Sequence, residues 1–185
     1  MPARALRPFS PEPQLQGLSL TCAAQWQSGR LDLHYSLRGD LGALVLPPPA
    51  EQPARRDGLW QSTCFEAFLA LPGQANYWEI NLAPNGDWNL YALAGYRTGL
   101  RAERLVQQVP IRVERQVQAP ANREAHGCFT LGATLDLTAW LPADAALELS
   151  ATAVLDHRER GCSYWAWRHC GPEADFHRRD SLLPL

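Results

Sequence analysis

The chain has 185 residues, 46% of them apolar, with 17 basic and 19 acidic side chains and a formal net charge of −2. That length and composition fit one domain over 1–185 with its own core, and they exclude a disordered polymer. The near-neutral charge argues against nucleic acid and anionic lipid as partners, and the lack of any Lys excludes both a Lys Schiff base and a phosphate-loop Lys.

In chain order, the opening MPARALRPFSPEPQLQ lacks the apolar stretch of a secretory signal, and no later run reaches the ~18 apolar residues of a membrane span. A cytoplasmic location without membrane contact is the expectation. Leu18–Trp26 reads as a strand. The alternation of Leu31, Leu33, Tyr35 and Leu37 predicts a second strand with those four side chains inward. The proline-rich LPPPAEQPARR, residues 46–56, is a long connection.

Three consecutive strands are predicted between Arg55 and Arg97. Asn85-Gly86 suggests a type I′ turn that pairs Pro84 with Asp87. That register sets Asn81 opposite Leu90, Ile80 opposite Tyr91 and Glu79 opposite Ala92. Phe65, Ala67 and Leu69 should share a face with Trp78, Ile80 and Leu82, because a slip of one residue would mix apolar and charged positions. Glu66, Phe68, Tyr77, Glu79, Asn81 and Trp88 then occupy the other face.

Leu100–Gln108 reads as a short helix or a loop. Ile111, Val113, Arg115 and Val117 predict an edge strand, and Phe129, Leu131, Ala133 and Leu135 another. Leu137–Leu141 reads as a helical turn or two, introduced by Asp136 and stopped near Pro142. Leu147, Leu149, Ala151, Ala153 and Leu155 alternate again, and Ser163–His169 has the aromatic content of a strand. About nine short strands with one or two short helices predict an all-β antiparallel sandwich, jelly-roll-like in type.

The central face carries the chemistry. Flat rings of Tyr77 and Trp88 beside Glu66, Glu79 and Asn81 suit a sugar, whose C–H face stacks while its hydroxyls are hydrogen-bonded. Two close carboxylates raise each other's pKa unless a cation pairs with them, and Arg97, Arg56, Arg168 or a bound Ca²⁺ could do so. The same pair could act as acid and base in a glycosidase. Near the C-terminus, Trp165 and Trp167 share a face with Ser163 and His169, while Tyr164, Ala166 and Arg168 point the other way. His169, Cys170, Asp175 and His177 match no structural zinc spacing, and Asp175, His177, Arg178 and Asp180 are expected to form a hydrogen-bonded loop tying the tail to the sheet. The five Cys lack C-x-x-C spacing and read as reduced thiols. Cys170 beside His169 or His177 is the one pairing that could serve a thiol nucleophile. No G-x-S-x-G, P-loop, Rossmann or H-E-x-x-H motif occurs.

The run DGLW-x3-CFEAFL, followed by NYWEINLAPNGDWNLY, GYR, SYWAWRH and PEADFHRRDS, resembles the DOMON-like proteins, single-domain bacterial relatives of carbohydrate-binding module family 9. The resemblance spans roughly Arg55 to the C-terminus. It implies a jelly-roll-type sandwich that binds either sugar or haem. Haem-binding members use Met and His as axial ligands. The only Met here is Met1, so haem would need two of His34, His126, His157, His169 and His177. The leading expectation is a non-catalytic module holding a small saccharide without a cofactor. Its proposed walls are Trp60, Trp88, Trp165 and Trp167, with Glu66, Tyr77, Glu79, Asn81, Arg97 and Arg168 as further contacts. Rival readings are a haem or redox module, an enzyme working through Glu66 and Glu79, and an interaction protein using an open sheet edge.

Overall fold

The computed structural model describes residues 2–117 and 126–185. The side chains of Val117 and His126 lie outside the described residues. Twelve strands run β1 (Arg4–Pro8), β2 (Ser19–Gln27), β3 (Arg30–Asp40), β4 (Cys64–Ala70), β5 (Tyr77–Leu82), β6 (Trp88–Leu93), β7 (Arg101–Ala102), β8 (Ile111–Val117), β9 (His126–Asp136), β10 (Glu148–His157), β11 (Gly161–Ala166) and β12 (Leu183–Pro184). All the strand pairings are antiparallel, and the fold is a β-sandwich.

One layer has the order β7-β6-β5-β4-β10-β11 and the other β2-β3-β9-β8, with β1 joining them. The proline-bearing N-terminal stretch therefore has a structural task. Arg4, Ala5 and Leu6 pair with β2, while Arg7 and Pro8 pair with Ala166 and Trp165 of β11. Pro8 sits at the strand's last residue, where its missing N–H costs little.

The alternating segments fold as patterned. Leu31, Leu33, Tyr35 and Leu37 of β3 are buried between the layers, as are Phe129, Leu131, Ala133 and Leu135 of β9. Phe65 of β4 stacks on Phe129 across the sandwich at 5.4 Å and 8°. The helical turn or two expected at Leu137–Leu141 is a single turn, closed by Leu141 N–H to the Leu137 carbonyl and anchored by Asp136 Oδ1, which accepts from Thr138 N and Oγ1. Pro142 leaves no room for a second turn. The Leu100–Gln108 segment is a loop holding β7, which pairs with Tyr91 and Ala92.

The β5–β6 connection differs from the expected type I′ turn. Gly86 N–H bonds to the Ala83 carbonyl and Ala83 N–H to the Asp87 carbonyl, with positive φ (93°) at Gly86 alone. This is a three-residue loop, Pro84-Asn85-Gly86, in which Pro starts the turn and Gly takes the left-handed position. The Asn85 side chain accepts from Asp87 N–H and donates to its carboxylate. The extra loop residue shifts the β5–β6 register by one, so Leu82 faces Trp88, Ile80 faces Leu90 and Glu79 faces Tyr91. Trp88 therefore turns into the inter-layer core, and Asn89, Tyr91 and Leu93 take the outer face.

That outer face of β4, β5, β6 and β10 is not open to solvent. Phe68, Tyr77, Tyr91, Leu93 and Val154 form a second apolar cluster there, covered by Phe176 and Leu182 of the tail. All of β4, β5 and β6 is consequently buried on both sides.

Candidate functional site

Between the outer face of the sheet and the tail lies a cavity of about 350 Å³. Glu66 and Glu79 form its floor, with Phe68 and Val154 beside them. Trp60, Tyr164 and Phe176 supply aromatic walls, and Arg97 and His177 complete the polar lining. Pleating explains the floor: Glu66 pairs with Asn81 and Phe68 with Glu79, which makes the two acids diagonal neighbours on one face.

The floor is short of donors. Glu66 is 2% exposed; its Oε2 accepts from Thr152 Oγ1 at 3.4 Å, and its buried Oε1 has no hydrogen-bond partner among the described residues. Asn81, fully buried, donates Nδ2–H to Glu79 Oε1 at 2.9 Å. Burial, reinforced by the Glu79 charge, pushes the Glu66 carboxyl well above the usual carboxylate range. Glu79 is also raised by burial, against the opposing Asn81 hydrogen bond and the positive field of Arg97.

The rim is held by the tail in the way the residues around Asp175 suggested. Arg97 Nη2 donates to Asp175 Oδ1 at 2.9 Å, and Tyr96 Oη donates to Asp175 Oδ2 at 2.6 Å. Burial would raise the Asp175 carboxyl, but these donors hold it below its ordinary value. Tyr77 Oη lies 2.8 Å from His177 Nδ1 and accepts from the Arg97 N–H at 3.2 Å. Burial and the Arg97 charge lower the His177 pKa to about 4, so this ring is neutral near pH 7. Arg178 clamps Asp180 through two hydrogen bonds.

Of the ten side chains singled out by sequence, Trp60, Glu66, Glu79 and Arg97 line this cavity, while Asn81 and Tyr77 support it through Glu79, His177 and Arg97. The other four lie elsewhere. Trp88 is in the inter-layer core beneath Arg55, whose guanidinium sits 4.2 Å from the ring centre. Trp165 is also in that core, donating Nε1–H to Ser163 Oγ at 2.9 Å. Trp167 packs against the same core with Arg4 over its ring at 5.4 Å. Arg168 bonds the Asp180 carbonyl outside the cavity. The expected pairing of Arg97, Arg56 or Arg168 with the two acids is replaced by the Arg97–Asp175 pair.

Sequence reasoning missed Tyr164, Phe176 and His177 as lining residues. Strand parity already set Tyr164 opposite Trp165, but nothing local shows that the tail folds back over that face. For haem, His34, His157 and His177 line three separate depressions. His157 Nε2 is bonded with Ser163 Oγ and His169 Nε2 with the Arg7 carbonyl. These four residues therefore do not come together as an axial pair. No cluster of three or more metal-ligating side chains occurs among the described residues. A larger depression of about 570 Å³ crosses the outer face of the β2-β3-β9-β8 layer, but its charged residues Asp32 and Arg112 are exposed and no Trp, Tyr or Phe lines it.

The class defined by this geometry is an antiparallel β-sandwich with a roofed, carboxyl-floored cavity on one outer face. Among solved structures, a candidate carbohydrate-binding protein from Bacteroides uniformis is similar over 98% of this chain and 84% of its own, with a TM-score of 0.62 at 12% identity. A family 9 carbohydrate-binding module from Caldicellulosiruptor kristjanssonii, solved with cellotriose, is similar over 90% of this chain and 72% of its own, with a TM-score of 0.51 at 10% identity. The sandwich is thus the fold of the family 9 carbohydrate-binding modules. No family model matches the sequence, and no curated protein matches it.

Proposed function

We propose that the chain is a non-catalytic binding module that takes a small saccharide into the cavity between Trp60, Glu66, Glu79, Arg97 and the tail. The observation that carries this reading is the pairing of a partly exposed indole with buried carboxyls in one cavity of monosaccharide scale. Trp60, 38% exposed and set edge-on to Tyr91 at 5.8 Å, offers a surface for a sugar's C–H groups. The floor offers oxygens for its hydroxyls. A volume of about 350 Å³ lies at the small end of ligand sites, which run from roughly 300 to 1,000 Å³. The DOMON-like resemblance and the fold shared with carbohydrate-binding modules support the same reading.

Binding fits the geometry better than hydrolysis. A glycosidase flanks the scissile bond with its two carboxyls, whereas Glu66 and Glu79 come from adjacent strands of one wall. Calorimetric titration with a panel of mono- and disaccharides tests the proposal. Trp60→Ala should weaken binding roughly tenfold or more, about 1.4 kcal/mol, because the ring is covered only when the ligand stacks on it. Its melting temperature should hardly move, since the ring is partly exposed. Unchanged affinity in Trp60→Ala, or no binding across the panel, would refute the assignment.

A further inference from the structure

The donor and acceptor balance of the cavity narrows the class of ligand, an inference that rests on the saccharide reading above. The floor presents carboxyl oxygens and almost no donors. Glu66 Oε1 is buried without a partner, and Glu66 as a whole is 2% exposed. The nearest guanidinium, Arg97, is already engaged by Asp175 at 2.9 Å and keeps 52% of its side chain exposed at the rim. His177 shares its Nδ1 with Tyr77. A sugar hydroxyl can donate to such a floor, but its own acceptor lone pairs find little there, so it does not match the floor fully. An ammonium group, with three donors and no acceptor, does. The walls agree, because Trp60, Phe68, Tyr164 and Phe176 line the cavity and aromatic rings attract a cation over their faces. A metal ion fits less well: Ca²⁺ takes six to eight oxygens, and no cluster of three ligating side chains occurs among the described residues.

We propose that the saccharide bound here carries a protonated primary amine, as a 2-amino-2-deoxy sugar does, and that its ammonium group seats against Glu66 and Glu79. In the empty cavity burial favours the proton-bound form of Glu66, whose O–H would be the one donor the floor itself supplies. The incoming cation takes over that role, and the carboxyl proton leaves to solvent. The titratable groups around Glu66 and Glu79 are Cys64 on β4, Tyr35 on β3, Tyr77 on β5, Tyr91 on β6, Arg97 on the β6–β7 turn, Tyr164 on β11 and His177 on the tail. Of these only Arg97 is cationic near neutral pH.

The test is calorimetric titration with glucosamine, glucose and N-acetylglucosamine at about pH 6, where the amine is protonated. Glucosamine should bind at least tenfold tighter than glucose. N-acetylglucosamine, which keeps the nitrogen without its charge, should not share the gain. Repeating the glucosamine titration in buffers of different ionisation heat should show proton release, absent with glucose. In Glu66→Gln, and separately in Glu79→Gln, the glucosamine-to-glucose affinity ratio should fall towards one. Equal binding of glucose and glucosamine by the native protein overturns the ammonium assignment and leaves the saccharide reading intact. Binding of neither overturns both. Tight CaCl₂ binding abolished by Glu66→Gln would reassign the floor to a metal.

Discussion

Glu66 gathers burial, an adjacent acid and an unpartnered oxygen in one side chain, and each disfavours its charged form. Its folded pKa lies well above the ~4.3 of an unfolded Glu, so the native state holds a proton that the unfolded chain gives up. The stabilisation from this proton is complete below the unfolded value and is lost as pH rises through the folded one. Melting temperature should therefore fall as pH is raised above the unfolded value of ~4.3, and Glu66→Gln should flatten that slope. A slope unchanged by the substitution would show that Glu66 is ionised in the native protein. His177 acts with the opposite sign. Its pKa is lowered to about 4, so its contribution is present above the unfolded value of ~6.5 and lost as pH falls towards 4. Proton NMR of the ring should show it neutral at pH 6, with Tyr77 still bonded; a titration midpoint near 6.5 would contradict the buried setting.

At the level of elements, the β5–β6 hairpin decides which side chains of β6 take the outer face, Leu93 of the cavity lining among them. Alternation sorted β4 and β5 correctly because each carries charged or amide residues on one face only. β6 carries the same mark, since Asn89 shares its side with Tyr91 and Leu93, but the expected two-residue turn overrides it. The register then depended on loop length, and one extra residue at the Pro84-Asn85-Gly86 turn exchanged Trp88 for Tyr91. Gly86→Ala should destabilise the protein by about 1–2 kcal/mol in urea unfolding, because its φ of 93° is left-handed and a Cβ would meet Pro53 Cγ at 3.1 Å. A neutral result would mean that the turn relaxes without strain. Strands β1, β7 and β12 escaped the pattern because five residues or fewer hold too little alternation to read.

For the whole molecule, the tail is what turns a sheet face into a cavity. Residues Phe176 and Leu182 seal the outer cluster, and Asp175 and His177 fasten the rim through Arg97, Tyr96 and Tyr77. Phe176→Ala should cost about 3 kcal/mol of stability and weaken saccharide binding along with it, since large-to-small changes in a packed cluster leave a void. Full binding by a measurably destabilised Phe176→Ala protein would show that the roof is not part of the site.

The all-β class, the faces of β4 and β5, and the gathering of Glu66, Glu79 and Asn81 on one side are legible in the residues alone, because pleating is a local rule of period two. That this side is roofed, that Tyr164, Phe176 and His177 meet Trp60 there, and that Trp88 belongs to the core came from long-range packing. The roof depends on where a tail far along the chain packs, which no local pattern records, and the place of Trp88 on a one-residue shift of register that Asn89 alone marks.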